Sequence, residues 1–157
     1  MRADAFFTSE RKYLSQFGAG SPVVLVVEDS DDARRVLSLE LRHKGCQVLT
    51  ASDGLEAVET AISARPDLIL MDLNLPRLDG LAATERIRAH DDLHEVPIIA
   101  LTAYDTYGIK EAAIEVGCQY YLLKPLRPGE LERALRRTLP GFVSAAGEAA
   151  CLSPEDG

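Results

Sequence analysis

Four apolar runs in this chain end on polar residues able to do chemistry. Val23–Val27 is followed by Glu28 and Asp29, Leu68 to Met71 by Asp72, Ile98 to Leu101 by Thr102, and Tyr120–Leu123 by Lys124. Three carboxylates, a hydroxyl and an ammonium make a definite chemical set if they meet. Carboxylates at close range repel, and one protonates unless a cation joins them. Lys124 offsets one charge, and the remaining charge of about −2 suits a hard divalent cation with oxygen ligands, Mg²⁺ first and Mn²⁺ second. A carboxylate beside such an ion is a competent nucleophile toward a phosphoryl group. The hydroxyl and the ammonium can spread the charge of a transferring phosphoryl. Taken singly, Asp29 or Asp72 is also an ordinary helix cap, a place where Asp is favoured. Capping does not account for five polar groups at four run ends.

The elements that must position these groups are legible in the spacing. Short continuous apolar runs read as strands buried on both faces, and Gln47–Ala51 reads as a weaker fifth. Segments of helical length lie between them. Asp31 to Lys44 places Val36, Leu37, Glu40 and Leu41 at helical spacing, with Gly45 as its stop. Gly54–Ala64 places Leu55, Val58 and Ile62 on one face. Leu81 to His90 and Asp105 to Val116 follow, the latter ended by Gly117. Pro128 to Leu139 is the fifth, with Pro128 in its first turn and Pro140 beyond its end. This (βα)₅ alternation predicts an α/β fold, a doubly wound five-stranded parallel sheet with right-handed crossovers. In such a sheet the carboxyl ends of the strands share one edge, where ligands bind.

Bulk properties exclude several classes. The chain has 157 residues, enough for one domain with short extensions. A net charge of −8 argues against nonspecific nucleic-acid binding. No apolar run approaches the roughly 18 residues of a membrane span, and the first ten residues lack a secretory h-region. Cys46, Cys118 and Cys151 are expected as reduced thiols of a cytoplasmic protein, at spacings that match no zinc site. Residues 1–21 read as an N-terminal extension. Phe6, Tyr13, Leu14 and Phe17 share one helical face there, so a short docked helix is expected. Residues 22–139 form the domain, and residues 140–157 read as a disordered tail. Gly18-Ala19-Gly20 precedes a strand, so it reads as a hinge rather than a dinucleotide fingerprint. His90 and His94 straddle a helix end and read as loop residues, and His43 suits a helix C-terminus.

Four pieces carry a resemblance: VVEDS (Val26 to Ser30), MDLNLPRLDG (Met71 to Gly80), ALTAY (Ala100 to Tyr104) and YLLKPL (Tyr121 to Leu126). In this order, at these run ends, they resemble the receiver domains of two-component response regulators, over Val23 to Leu139. The resemblance implies a flavodoxin-like strand order 2-1-3-4-5 and a stand-alone, chemotaxis-regulator-like switch. By position it makes Asp72 the phosphoacceptor. Glu28, Asp29, Asp72 and the Asn74 backbone carbonyl become the Mg²⁺ ligands. Lys124 pairs with the phosphoryl group, Thr102 is the switch hydroxyl, and Tyr121 is the aromatic that turns with it. It implies a cis bond between Lys124 and Pro125. Leu75 and Leu126 depart from the usual methionine and phenylalanine, while Asn74 and Tyr104 border the pocket. The implied donor is a histidine kinase or histidine phosphotransfer protein at the first helix, near Leu39 and Arg42. The implied target is a protein at the fourth helix, fifth strand and fifth helix, near Tyr104 and Tyr107. A homodimer is compatible, and neither nucleic acid nor membrane is expected. The protein is expected to be a switch that promotes its own phosphorylation and dephosphorylation, not an enzyme in the ordinary sense. The alternative is an adaptor with the same fold that signals without phosphorylation. An aspartyl phosphatase would carry its nucleophile on the first strand, and a flavodoxin loop would not place Glu28 and Asp29 against a phosphate.

Overall fold

Aliphatic runs with few polar interruptions become strands because both of their faces can be covered. The computed structural model describes residues 20–103 and 108–143. It contains strands β1 (Val23–Val27), β2 (Gln47–Ala51), β3 (Leu68–Asp72), β4 (Ile98–Thr102) and β5 (Tyr120–Leu123). Between and after them lie helices α1 (Asp31–His43), α2 (Gly54–Ala64), α3 (Gly80–Arg88), α4 (Ile109–Val116) and α5 (Glu130–Thr138). A single 3-10 turn, Asp91–Leu93, precedes β4. All strand pairs are parallel, in the order β2-β1-β3-β4-β5. The flavodoxin-like expectation is met. Among the described residues no helix is long and apolar enough to cross a membrane.

Alternation along each strand divides the core in two. Leu25, Val27, Ile69, Met71, Ile98 and Ala100 face a layer that includes Ala57 and Ala61 of α2, Ala83 and Ile87 of α3, and Ala113 of α4. Val24, Val26, Leu68, Leu70, Ile99 and Leu101 face Leu37 and Leu41 of α1 and Leu131, Ala134 and Leu135 of α5. The register aligns the carboxyl ends: Val27 pairs with both Ala51 and Met71, Asp72 with Leu101, and Thr102 with Leu123.

Several expectations need correction. The buried side of α2 is Ala57, Ala61 and Ala64, while Ile62 is exposed. Small side chains let the helix lie close to the sheet and push the larger ones to its flank. In α1, Leu37, Ser38 and Leu41 are buried, but Val36 is 62% exposed. Among the described residues β5 is an edge strand, paired with β4 alone, so its residues are partly open rather than buried on both faces. α5 starts at Glu130, two residues after Pro128, because Gly129 adopts φ 87° as its N-cap. α3 stops at Arg88, and His90 and His94 flank the 3-10 turn, in keeping with their loop reading. Gly45 and Gly117 end α1 and α4 at φ 99° and 117°, as expected. Cys46 and Cys118 are buried and free. The expected aromatic helix, the tail beyond residue 143, Cys151, Tyr104 and Tyr107 lie outside the described residues.

Gly80 fixes how closely α3 approaches the end of β3. A Cβ there would lie 2.3 Å from the Asp72 carbonyl oxygen and 2.7 Å from Leu73 Cα. Both are backbone atoms that cannot swing aside. Gly80→Ala should therefore cost about 2–3 kcal/mol as an overpacked site, read as a lower urea midpoint with an unchanged m-value.

Candidate functional site

The carboxyl edge of the sheet holds the polar set. Glu28 continues β1 for one residue, its N–H donating to the Ala51 carbonyl at 3.1 Å. Ser30 then caps α1, its Oγ accepting from the Ala33 N–H at 3.3 Å. The Ser30 N–H donates back to Glu28 Oε2 at 3.3 Å, and Arg34 Nη1 donates to the Glu28 carbonyl at 2.9 Å. On β3, Leu73 N–H donates to the Leu101 carbonyl at 2.9 Å, so the chain stays in the ladder just past Asp72. Asn74 N–H donates to Asp72 Oδ1 at 3.0 Å, closing an Asx-type turn. On the far side, Lys124 N–H donates to the Thr102 carbonyl at 2.8 Å, and the Lys124–Pro125 peptide is cis, as the resemblance implied.

Lys124 joins the strand tips. Its Nζ donates to Glu28 Oε1 at 2.6 Å and to Asp72 Oδ2 at 3.2 Å. Carboxylate oxygens of Glu28, Asp29 and Asp72 lie within 4.8 Å of one another. Glu28 and Asp72 are buried and Asp29 is exposed, so the cluster has a dry floor and an open side. Three hard oxygen donors against one ammonium fit a small divalent cation. Thr102 is buried at the neighbouring tip. Tyr121 pairs with Ala100 and packs on the core layer that carries α4, the face on which alternation also places Thr102.

The electrostatics follow from this geometry. Burial pushes the Asp72 carboxyl up to about 6 against 3.8 for an unperturbed aspartate, and the charge on Glu28 adds to the rise. The Asn74 N–H and the Lys124 ammonium offset only part of it. For Lys124, burial acts downward, but the hydrogen bond to Glu28 and the charges of Asp72 and Glu28 outweigh it and hold the ammonium above its usual value.

Two features escaped the sequence reading. Arg34 ties the Glu28 backbone to α1. A groove of about 710 Å³ lies between α1 and the segment after β5, lined by Val36, Leu37, Leu101, Pro125 and Leu126, with Glu28, Asp32, Glu40 and Lys124 among its polar residues. The exposed Val36 is its readable trace, because an apolar residue on the solvent side of a helix marks a surface that something can cover.

The raised Asp72 value has a consequence for stability. A carboxyl whose folded value lies above its unfolded value favours the fold while protonated, and that contribution is lost as pH rises toward and past about 6. Asparagine mimics the neutral form and keeps an acceptor for the Asn74 N–H. In chelator at pH 7.5, Asp72→Asn should be more stable than the parent by ~1–3 kcal/mol. The gain should shrink toward zero by about pH 4. Urea denaturation across pH tests this, and a loss of stability at pH 7.5 would show that the pair with Lys124 outweighs the burial of charge.

Comparison with known proteins matches residues 24–136 to the response regulator receiver domain. The transcriptional regulatory protein PrrA of Mycobacterium leprae is 37% identical over 140 residues, covering 87% of this chain and 59% of PrrA. This chain thus spans less than two thirds of the length of that relative. The polar-differentiation response regulator DivK of Brucella anthropi is 36% identical over 66% of this chain and 84% of its own. Among solved structures, the receiver domain of sensor histidine kinase PA1611 from Pseudomonas aeruginosa, with a magnesium ion coordinated in its active site cleft, is 42% identical with a TM-score of 0.71. That match covers 76% of this chain and 98% of the other. The chemotaxis protein CheY4 of Vibrio cholerae is 34% identical over 76% of this chain and all of its own, with a TM-score of 0.73. The chain belongs to the family of response regulator receiver domains.

Proposed function

We propose that this receiver accepts a phosphoryl group on Asp72 from a phosphohistidine of a histidine kinase or histidine phosphotransfer protein, and signals through a change in its surface. The observation that carries this is the buried Asp72 carboxylate, bonded to Lys124 and clustered with Glu28 and Asp29. An Asp72 oxygen attacks phosphorus and forms the new O–P bond. The N–P bond of the donor, a phosphohistidine protonated on its other ring nitrogen, breaks with its electron pair staying on the imidazole, and the donor histidine leaves neutral. Lys124, already aimed at Asp72, donates to a phosphoryl oxygen. Glu28, Asp29 and Asp72, with the Asn74 carbonyl as a further ligand, would hold Mg²⁺, which supplies charge neutralisation for the phosphoryl oxygens when bound. Water attack on the same phosphorus returns the carboxylate and inorganic phosphate.

The remaining residues carry the signal. Thr102 moves toward the phosphoryl group and Tyr121 turns in behind it, which biases the α4–β5–α5 surface between two states. Ile114 and Leu123 are exposed apolar residues on that surface and suit a protein target. The donor enters along the groove beside α1, which leads to Lys124 and Glu28. Buried free thiols at Cys46 and Cys118 support a reducing compartment, the cytoplasm.

Intact mass after incubation with Mg²⁺ and a small acyl phosphate tests the reaction. One added phosphoryl group is expected on the parent, and none on Asp72→Asn or in chelator. A parent that stays unmodified while beryllofluoride also fails to bind would overturn the reading and favour the adaptor.

A further inference from the structure

We propose that Arg34 is a positioning residue for the cation site: its guanidinium, held by Asp31, fixes the peptide plane from which both Glu28 and Asp29 project. The inference rests on the reading of Glu28, Asp29 and Asp72 as ligands of a divalent cation.

The geometry of one peptide unit carries it. Glu28 lies one residue beyond the last ladder pairs of β1, Val27 with Ala51 and with Met71. Its N–H is still held, by the Ala51 carbonyl at 3.1 Å. Its own carbonyl accepts from a side chain, Arg34 Nη1 at 2.9 Å. That oxygen belongs to the planar unit joining the α-carbons of Glu28 and Asp29. Two soft torsions, ψ of Glu28 and φ of Asp29, set the tilt of this plane, and a hydrogen bond to the oxygen restrains both. The two carboxylates hang from opposite ends of the plane, so one contact aims two ligands. The Glu28 side chain is also held by Lys124 and the Ser30 N–H. Asp29 is exposed, and its direction depends more on its backbone.

Arg34 is itself held. Its Nη2 donates to Asp31 Oδ1 at 2.5 Å, and its backbone N–H donates to the Ser30 carbonyl at 2.9 Å. The guanidinium is planar, so seating Nη2 on Asp31 sets where Nη1 points. The side chains of Arg34 and Asp31 are 22% and 79% exposed. A pair with so open a partner contributes little to stability. Its role is direction. Charge alone argues against an arginine here, since a guanidinium on the backbone of a ligand residue repels the bound ion.

Arg88 makes a comparable staple at the opposite edge. Its Nε and Nη2 donate to the Gly117 carbonyl at 3.1 and 2.8 Å, and Nη1 donates to the Leu93 and His94 carbonyls at 2.9 and 3.2 Å. It ends α3, and Leu93 and His94 precede β4, so this staple lies at the amino edge of the sheet, away from the acidic cluster.

Calorimetric titration of Mg²⁺ into the unphosphorylated full chain tests the proposal, with urea denaturation in chelator as the measure of stability. Arg34→Gln should bind Mg²⁺ about tenfold more weakly than the parent, the scale of loss when the partner of a metal ligand is removed. By charge alone the same substitution would tighten binding. Arg34→Lys keeps the charge but not the planar fork, and should also bind more weakly than the parent. It decides the matter should Arg34→Gln fail to fold. Arg88→Gln should lower the urea midpoint and leave the Mg²⁺ constant unchanged. Unchanged or tighter binding in either Arg34 variant would overturn the proposal. An equal loss in Arg88→Gln would overturn it too, because the effect would then be a general loosening of the fold. A parent that binds no Mg²⁺ would remove the site on which the inference rests. A parent that binds Mg²⁺ but accepts no phosphoryl group would sink the phosphoacceptor reading and leave this inference standing.

Discussion

An imbalance of charge at a dry corner of the sheet governs this molecule. Glu28 and Asp72 are buried and share one ammonium, while Asp29 closes the cluster from outside. Two like charges within 4.8 Å of each other repel by at least about 3 kcal/mol at an effective dielectric constant of 20. Such a cluster persists because the rest of the fold holds it. The Ser30 N–H and the Arg34 guanidinium fix the Glu28 side chain and carbonyl, the Asn74 N–H holds Asp72, and the ladder bond to Thr102 places Lys124. The fold bears the cost of a charged, partly dehydrated site, and a site of that kind gains most from binding a cation.

The topology explains how residues so far apart in sequence meet. A parallel sheet brings every carboxyl end to one edge, and this strand order sets β1, β3, β4 and β5 side by side. The loops that follow must then turn without crowding the edge. Gly80 lets α3 begin against the Asp72 carbonyl, and Gly54 lets α2 begin against the Leu78 carbonyl, where an added Cβ would lie 1.8 Å from the oxygen. The same edge joins the two core layers. The α1 groove belongs to the layer with α5, whereas Tyr121 packs with the layer that carries α4. In the proposed switch, a change at Asp72 passes between the layers through Thr102, at the tip of a strand that contributes to both.

The strands were legible because a buried parallel strand is a short run with almost no polar residue, and nothing else in this chain looks like that. Glu28, Asp29, Asp72 and Lys124 were legible for a related reason: a charge just past such a run must lie on the sheet's edge. The strand order rested on the resemblance, since apolar runs carry no record of which run pairs with which. Helix faces were read less well. Periodicity cannot distinguish an apolar residue that packs from one that faces solvent, so Val36 was grouped by spacing with the buried Leu37 and Leu41 although it is 62% exposed. It undervalues alanine, so Ala57, Ala61 and Ala64 on the buried side of α2 were not singled out, although Val58 does pack on the core. The tie from Arg34 to β1 escaped because it runs to the Glu28 backbone carbonyl, which leaves no complementary residue type in the sequence. Pro128 was placed inside α5 because proline suits a first turn, but Gly129, at positive φ, sets the cap after it.

Lys124 reconciles the burial of the cluster with its reactivity. An ammonium has three donors and no acceptor, and two of them are engaged with Glu28 and Asp72. The third can meet an incoming phosphoryl oxygen without releasing either carboxylate. An arginine would bring a planar fork suited to gripping one carboxylate through two bonds, and would lock Asp72 in its resting pair. In the proposed reaction, phosphorylation would replace one carboxylate charge on Asp72 with a more negative group that carries its own acceptor oxygens. The demand on Lys124 then rises, and its bond can shift from the carboxyl oxygen to the phosphoryl without the ammonium travelling. The contact that makes the buried aspartate tolerable at rest would thus also be the one that strengthens in the proposed product, which is the condition for a site that both waits and switches.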